Sequence, residues 1–353
     1  MSESAKDSGE TPGRPDERPI SSLPMANAGL SRLVAERLRL AGVDLAPLLK
    51  KAGITKPEID DPNRRIANQR QIAFLAAAAE ALDDDLLGLR LAENFDCREI
   101  GLLYYAAASS ATLGEAMRRA ARYSRVTNEA ILLKLVDGEA PVLRFSYAGV
   151  ARHTDMQQME FLMVAALRIC RVITGRRLVP RMVSIAHLRS AVPPEASAFF
   201  GTSVEFGAAH DEIALPEGAF DLPSIGADPH LSKIVLKYCD ECLAQRSDAR
   251  GPFRARVENA MAPLLPHASA RADAVARELG MSERTLGRKL AEEETSFNEV
   301  LQDLRSELAA RYLEDPRLPV SRIAWLLGFE EVSSFSHAFK RWTGKSPREM
   351  RAV

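Results

Sequence analysis

Two stretches near the C-terminal end of this chain carry side chains that can hold phosphate oxygens and read the edges of bases. Between Ser282 and Leu290 stand Arg284, Arg288 and Lys289 against a single acid, Glu283. Between Val332 and Lys345 stand Lys340, Arg341 and Lys345 with no acid. A guanidinium can bond the two acceptors of a guanine at once, whereas lysine ammonium and serine or threonine hydroxyls more often hold phosphate. The candidate contacts are therefore Ser282, Arg284, Thr285, Arg288 and Lys289 in the first stretch, and Ser333, Ser334, Ser336, His337, Lys340 and Arg341 in the second. The global balance does not advertise such a partner. The 353 residues carry a net charge of −1, and residues 254–353 hold 16 Lys+Arg against 15 Asp+Glu. Placement decides: the acids gather at Glu292, Glu293 and Glu294 and along Asp303, Glu307, Glu314 and Asp315, which leaves both stretches locally positive.

Other chemistry is poorly supported. Cys239 and Cys242 form a CxxC that reads as one turn of helix, with no second pair and His230 as the nearest histidine, so structural thiols are expected rather than a redox pair or metal site. Four scattered cysteines make no disulfide framework. There is no HExxH, no Gly-rich phosphate loop and no serine elbow, so no catalytic residue, metal or cofactor is expected, and the chain is not read as an enzyme. Residues 1–24 lack the apolar run of a signal peptide, and the apolar stretch Phe161 to Leu167 is bounded by Glu160, Arg168 and Arg171. The expectation is a cytoplasmic protein without a membrane partner.

The elements that must position the two basic stretches are legible. Ala276-Arg-Glu-Leu-Gly280-Met281 and Ala324-Trp-Leu-Leu-Gly328-Phe329 repeat one pattern 48 residues apart: a small residue where two helices cross, then a glycine that ends the first helix. After each, apolar residues at i, i+4 (Leu286 and Leu290; Phe335 and Phe339, with Trp342) face a core and leave the bases outward. These are two helix-turn-helix units in series. Ser296-Phe-Asn-Glu299 has the form of a capping box and opens a helix between them, which Asp315-Pro316 ends. At about 16 residues that helix is about 24 Å long. With its neighbours it can set two recognition helices in successive major grooves, about 34 Å apart.

Upstream, the pattern mixes helix and strand. Residues 1–24 read as a disordered tail. Helices are predicted at 30–41, 68–81 and 100–109, then from the capping box Thr112-Leu-Gly-Glu115 through Tyr123, and at 156–174 before Gly175. Strands at 131–136 and 141–147 flank Asp137-Gly138, a hairpin signal, and further strands are predicted at 181–186, 204–206 and near Ile213. The expected organisation is an α+β domain over 25–244, a polar linker over 245–253 with a Gly-Pro break, and an all-α domain of two helix-turn-helix units joined by a connecting helix over 254–353.

The stretch from about Ala272 to Arg351 resembles the DNA-binding domain of the AraC/XylS family of bacterial transcription regulators. The resemblance is carried by Ala276, Gly280, Ser282 and Leu286, then Phe297 and Leu304-Arg305. It continues through Ile323-Ala324, Leu327-Gly328-Phe329, Ser334-Phe335, Phe339-Lys340 and Gly344-Lys-Ser-Pro347. Glu294 stands where that family usually has glycine. Residues 30 to about 240 resemble the arabinose-binding-like effector domain of one branch of the family through Leu86-Leu-Gly-Leu-Arg-Leu-Ala92, Gly101-Leu-Leu-Tyr-Tyr105, Thr112-Leu-Gly-Glu-Ala116, Val204-Glu-Phe-Gly207 and Leu215-Pro216. The resemblance implies a sequence-specific regulator of transcription, read as an activator. Its partners would be double-stranded DNA at two adjacent major grooves, a small-molecule effector, RNA polymerase and a second copy of the chain. Tyr123, Arg125, Tyr147 and His153, near the hairpin and the start of the long helix, are the candidate effector contacts. Related units fused to DNA-alkylation repair enzymes need a cysteine followed by histidine, and neither Phe-Asp-Cys97-Arg nor Ile-Cys170-Arg supplies it. The alternative is a ligand-independent DNA-binding protein whose N-terminal domain only dimerises.

Overall fold

A computed structural model describes residues 23–61, 64–136, 140–244 and 252–351. Most of the expected tail and linker, and the Asp137-Gly138 turn, lie outside the described residues. The chain opens with β1 (Met25–Asn27), α1 (Gly29–Leu40), α2 (Leu45–Ala52), α3 (Lys56–Asp60), β2 (Arg65–Ala67) and α4 (Asn68–Leu82). β1 and β2 pair antiparallel, and Val34, Leu38, Ile59, Phe74 and Leu75 close a helical core over them. Next come α5 (Leu87–Asn94), a 3₁₀ turn at Cys97–Ile100, α6 (Leu102–Ala108), α7 (Leu113–Thr127), β3 (Ile131–Val136) and β4 (Val142–Tyr147). A 3₁₀ turn at Arg152–Thr154 leads into α8 (Gln157–Thr174), β5 (Met182–Ile185), α9 (Pro194–Phe200), β6 (Val204–Phe206), β7 (Asp211–Ala214) and α10 (Pro229–Ala244).

Strands β3 to β7 make one sheet in the order β3-β4-β7-β5-β6, antiparallel except for the β5–β6 pair. The hairpin strands pair in full register from Ile131↔Tyr147 to Val136↔Val142, as the alternation around the predicted turn requires. Leu143, Phe145, Val183 and Ile213 of the sheet share a core with Met159, Met163 and Leu167 of α8. Gly175 closes α8 in the left-handed conformation at φ 62°. One predicted helix is interrupted: instead of a single helix over 100–109, Gly101 at φ 76° and ψ −137° separates the 3₁₀ turn from α6, a backbone that only glycine adopts readily. Gly88 permits the closest approach in this half, because a Cβ there would meet the Gln157 carbonyl oxygen at 1.9 Å.

The C-terminal region is helical throughout its described residues: α11 (Phe253–Met261), α12 (Ala272–Glu278), α13 (Glu283–Ala291), α14 (Phe297–Glu314), α15 (Val320–Leu326), α16 (Val332–Thr343) and α17 (Pro347–Arg351). One core joins both units, with Val257 and Met261 of α11, Leu286 and Leu290 of α13, Leu304 and Leu308 of α14, and Phe335 and Phe339 of α16. An α+β region is thus followed by an all-α one. They touch through α11, whose Asn259 is bonded to the segment between β4 and α8.

Candidate nucleic-acid interface and internal cavity

The two helix-turn-helix units are built by the same hydrogen bonds. Met281 N–H donates to the Ala276 carbonyl at 2.9 Å, and Phe329 N–H donates to the Ala324 carbonyl at 2.9 Å. Gly280 and Gly328 make those turns at φ 67° and 74°. Their surroundings differ. A Cβ at 280 would meet nothing within 4 Å, whereas one at 328 would lie 2.4 Å from the Leu265 carbonyl oxygen. Arg305 of α14 braces this second turn: Nε donates to the Leu327 carbonyl (2.8 Å), Nη2 to that of Gly328 (3.3 Å), and the guanidinium lies 4.8 Å from the Phe329 ring centroid. Burial holds the Arg305 pKa below its ordinary value.

The connecting helix α14 has 18 residues, about 27 Å of axis. Its capping box is complete, with Glu299 N–H donating to Ser296 Oγ (3.3 Å) and Ser296 N–H to Glu299 Oε2 (2.7 Å). Before it, Glu294 occupies the left-handed region at φ 55°, the conformation that glycine would meet without strain.

On α13, Arg284 and Arg288 are exposed; Arg288 pairs with Glu292, while Arg284 has no ion-pair partner among the described residues. Ser282 caps the helix by accepting the Thr285 N–H (3.2 Å), and the two hydroxyls are 2.9 Å apart. Lys289 is half-buried, its ammonium 5.3 Å from the Phe253 ring centroid on the side of α11. On α16, Ser333, Ser334, His337, Lys340 and Arg341 are exposed. Ser333 Oγ donates to Glu331 (2.9 Å), and half-buried Ser336 donates back to the Val332 carbonyl (2.8 Å). Phe335 and Phe339 turn inward. Each second helix therefore presents an exposed polar and basic strip over a shared apolar core.

A cavity of about 160 Å³ lies in the N-terminal half, walled by α1, α6, α7, α8 and the β3–β4 hairpin. Its surface is mostly apolar, with Leu30, Leu103, Ile131, Phe145, Phe161 and Ile169 on the wall, beside the neutral polar groups of Gln71, Ser124, Asn128 and Gln158. None of the four candidate effector residues is among its lining. Helical phase is one reason: α7 turns Ala120, Ser124 and Thr127 to the cavity, while buried Tyr123 faces α10 and donates its hydroxyl to Asp240 (2.9 Å). Arg125 is half-buried on α7, and His153 reaches Glu307 of α14, with Nε2 and Oε2 2.7 Å apart. The signal that sequence reasoning passed over is on α8, where Ala165 and Ala166 stand between Phe161, Leu162 and Ile169 and leave space beneath larger neighbours.

Tyr147 is a link between the cavity wall and the C-terminal half. Gln71 Nε2 donates to Gln158 Oε1 (2.7 Å), Gln158 Nε2 to Tyr147 Oη (2.7 Å), and Tyr147 Oη to Asp155 Oδ2 (2.8 Å). Burial pushes the Tyr147 phenol well above its ordinary value and raises Asp155. Arg152 donates to the Asp155 carbonyl and forks onto Asp211 at 2.6 and 2.7 Å. Burial would raise Asp211, but the Arg152 charge and hydrogen bonds override it and lower the pKa. Arg152 Nη2 also faces His187 Nδ1 at 3.1 Å, and His187 Nε2 faces Glu160 Oε1 at 2.8 Å. Burial lowers the His187 pKa despite Glu160, and a neutral ring with its proton on Nε2 satisfies both contacts. On the same segment, the Arg152 N–H donates to Asn259 Oδ1 (2.7 Å), and Asn259 Nδ2 donates to the carbonyls of Val150 (2.9 Å) and Tyr147 (3.3 Å).

The CxxC thiols are helical neighbours on α10. Cys239 is buried, its pKa pushed up to about 11 by burial, which disfavours the reactive thiolate. Among the described residues no group of three or more His, Cys, Asp or Glu could hold a metal, and no helix is long and apolar enough to cross a membrane.

Residues 42–224 match the family described as the arabinose-binding domain of AraC transcription regulators, N-terminal, and residues 275–352 match a helix-turn-helix domain family. The chain is 32% identical over 334 residues to the ornithine utilization regulator of Pseudomonas aeruginosa, covering 93% of this chain and 96% of that one. It is 30% identical over 336 residues to an uncharacterized HTH-type transcriptional regulator of Mycobacterium bovis, covering 90% and 94%. The crystal structure of the transcriptional regulator CdpR from Pseudomonas aeruginosa aligns over 92% of this chain and 98% of its own at 23% identity, with a TM-score of 0.42.

Proposed function

The chain belongs to the AraC family of DNA-binding transcription regulators, and we propose that it activates transcription under the control of a small molecule held in the N-terminal cavity. In this reading α13 and α16 enter successive major grooves on one face of the DNA, with Arg284 and Arg288 reading bases and Lys340, Arg341 and the serines of α16 holding phosphate. Activation adds a contact with RNA polymerase. The observation that carries the effector reading is the hydrogen-bonded path from the cavity wall at Gln158, through Tyr147 and Asp155, to the segment that grips Asn259 of α11. A ligand that binds one arrangement of this path better than another would bias the DNA-binding half, whereas one with equal affinity for both would shift nothing.

A homodimer completes the proposal. On α10, Leu231, Ile234 and Tyr238 are exposed at three- and four-residue spacing, an apolar stripe suited to a second copy. The same stripe favours the second reading, in which the N-terminal half dimerises and binds no effector. Footprinting and promoter output of the full chain across a metabolite panel test these claims together. Protection confined to one major groove overturns the two-groove arrangement. Output that no compound changes, in the native chain and in Asn259→Ala alike, leaves only the dimerising role.

A further inference from the structure

The chemistry of the cavity narrows what it holds, on the reading that it is the effector site. Among the described residues its lining includes no lysine, arginine or histidine. Arg168, whose guanidinium lies 5.2 Å from the Phe95 ring centroid, is not among the lining residues, and its Nη1 donates to the carbonyls of Ala92 (2.6 Å) and Phe95 (2.8 Å). The one carboxylate of the lining belongs to Glu99, which is exposed and marks the mouth. An anion entering here would pass a like charge, lose its water and meet no cation, the costliest way to bury a charge. A sugar fares little better, since most of its hydroxyls would face hydrocarbon. Gln71 and Gln158 are already bonded to Ser31, to each other, and to Asn68 and Tyr147, and Asn128 Oδ1 accepts from Asn68 and Ala130. A polar head therefore enters by exchanging or sharing these bonds, whereas a wholly apolar ligand would lay hydrocarbon against the amides. The volume is close to that of engineered apolar cavities of about 150 Å³ that take up benzene, so the ligand is on the order of one ring or a short chain, with any excess length reaching the mouth.

We propose that the cavity takes a small uncharged amphiphile, with its chain or ring among Leu30, Phe145, Phe161 and Ile169 and a hydroxyl or amide head at Gln71, Asn128 and Gln158, and that it discriminates against carboxylates. The zwitterionic amino acid in the name of the Pseudomonas relative does not suit it.

Full-length protein is titrated with 1-octanol and with sodium octanoate at pH 7.5, which share a chain and differ in the charge of the head, by calorimetry and thermal shift. Saturable octanol binding at least tenfold tighter than octanoate is expected. Octanoate binding as tight as octanol, or no octanol binding, overturns the proposal. Ala166→Phe fills the cavity from α8 and should remove octanol binding; Ala120→Leu does the same from α7 with a smaller side chain should the first variant not fold. Retention of full octanol affinity by a folded filling variant places the site elsewhere and also overturns it. Glu99→Lys, on the exposed mouth, should shrink the octanol-to-octanoate ratio several-fold, and an unchanged ratio counts against the charge argument. The underlying reading fails separately. Octanol bound with the expected selectivity but without effect on promoter output sinks effector control and leaves the ligand class standing. Promoter output that answers only to a carboxylate, with octanol unbound, does the reverse.

Discussion

Alanine at Gly280 and at Gly328 separates two contributions that the helix-turn-helix pattern combines. Both glycines sit at positive φ, 67° and 74°, so an L-residue at either pays about 1–2 kcal/mol for the left-handed conformation. At 280 nothing else is charged against it, because no atom lies within 4 Å of the added Cβ. At 328 the Cβ meets the Leu265 carbonyl oxygen at 2.4 Å, with Ala268 Cα at 3.3 Å. Both are backbone atoms that cannot swing aside, and relieving such an overlap adds about 1–3 kcal/mol. The expected losses are therefore about 1–2 kcal/mol for Gly280→Ala and about 2–5 kcal/mol for Gly328→Ala. Urea unfolding of the full chain followed by tryptophan fluorescence reads this directly, since both tryptophans, Trp325 and Trp342, lie in the second unit. A lower midpoint at unchanged slope is the signature of lost stability. Equal midpoint shifts for the two variants would refute the claim that the second turn is packed against the α11–α12 connection.

Glu294→Gly should raise the unfolding free energy from the same urea transition by about 1 kcal/mol, because glycine removes the left-handed strain at φ 55°; a loss of stability would mean that the glutamate side chain contributes more than its backbone costs. Arg284→Ala or Arg288→Ala should weaken operator binding by about 1–3 kcal/mol and relax specificity at one position, while Lys340→Ala should act evenly across sequences and reduce the salt slope by about one, all read by fluorescence anisotropy on labelled duplexes. Acid should destabilise the N-terminal half as pH falls below about 6.5, the ordinary histidine pKa. The folded His187 pKa is lowered, so the unfolded chain takes the proton first; the contribution is complete above about 6.5 and is lost as pH falls toward the folded value. Circular dichroism between pH 7 and 5 measures it, and His187→Gln, which keeps a donor and an acceptor, should flatten the dependence; a profile unchanged by that variant would assign the acid sensitivity to another group.

What the sequence disclosed and what it withheld divide by the range of the interactions. The two C-terminal units were legible because every determinant is local: Ala276 and Gly280 are four residues apart, the cap at Ser296 is answered by Glu299, and Leu286 and Leu290 follow one helical face. The β3–β4 hairpin was legible for the same reason, its alternation crossing a two-residue turn signal. The insertion of β7 between β4 and β5 was not, because it pairs Leu143 with Ile213 across some seventy residues that carry no pairing signal of their own. Gly101 was read as part of a motif and not as a break, although a glycine inside a predicted helix is a standing warning. Tyr123, Tyr147 and His153 were singled out as polar residues near the hairpin, and each has a side-chain partner of its own: Tyr123 and His153 at long range, on α10 and α14, and Tyr147 eight residues on, at Asp155. A cavity is what side chains from many elements fail to fill, and no local pattern encodes it.

The energetics of the domain contact bear on whether a ligand can act through it. Asn259 makes three hydrogen bonds to the 147–152 segment, and His153 makes one contact to Glu307. At a net of about 0.5–1.5 kcal/mol for each bond, these four contacts stabilise the joined arrangement by roughly 2–6 kcal/mol. Swinging a two-state equilibrium from 1:99 to 99:1 takes about 5.5 kcal/mol of differential affinity, so a contact of this size is weak enough for a bound small molecule to oppose and strong enough to hold without one. The amide of Gln158 is where that opposition would enter. Its N–H groups already serve Tyr147 Oη and Asn68 Oδ1, and its carbonyl accepts from Gln71. A ligand head that accepts from Gln158 in place of Tyr147 Oη takes a bond from the path that leads to Asn259, whereas hydrocarbon lying against Leu30 and Phe161 takes none.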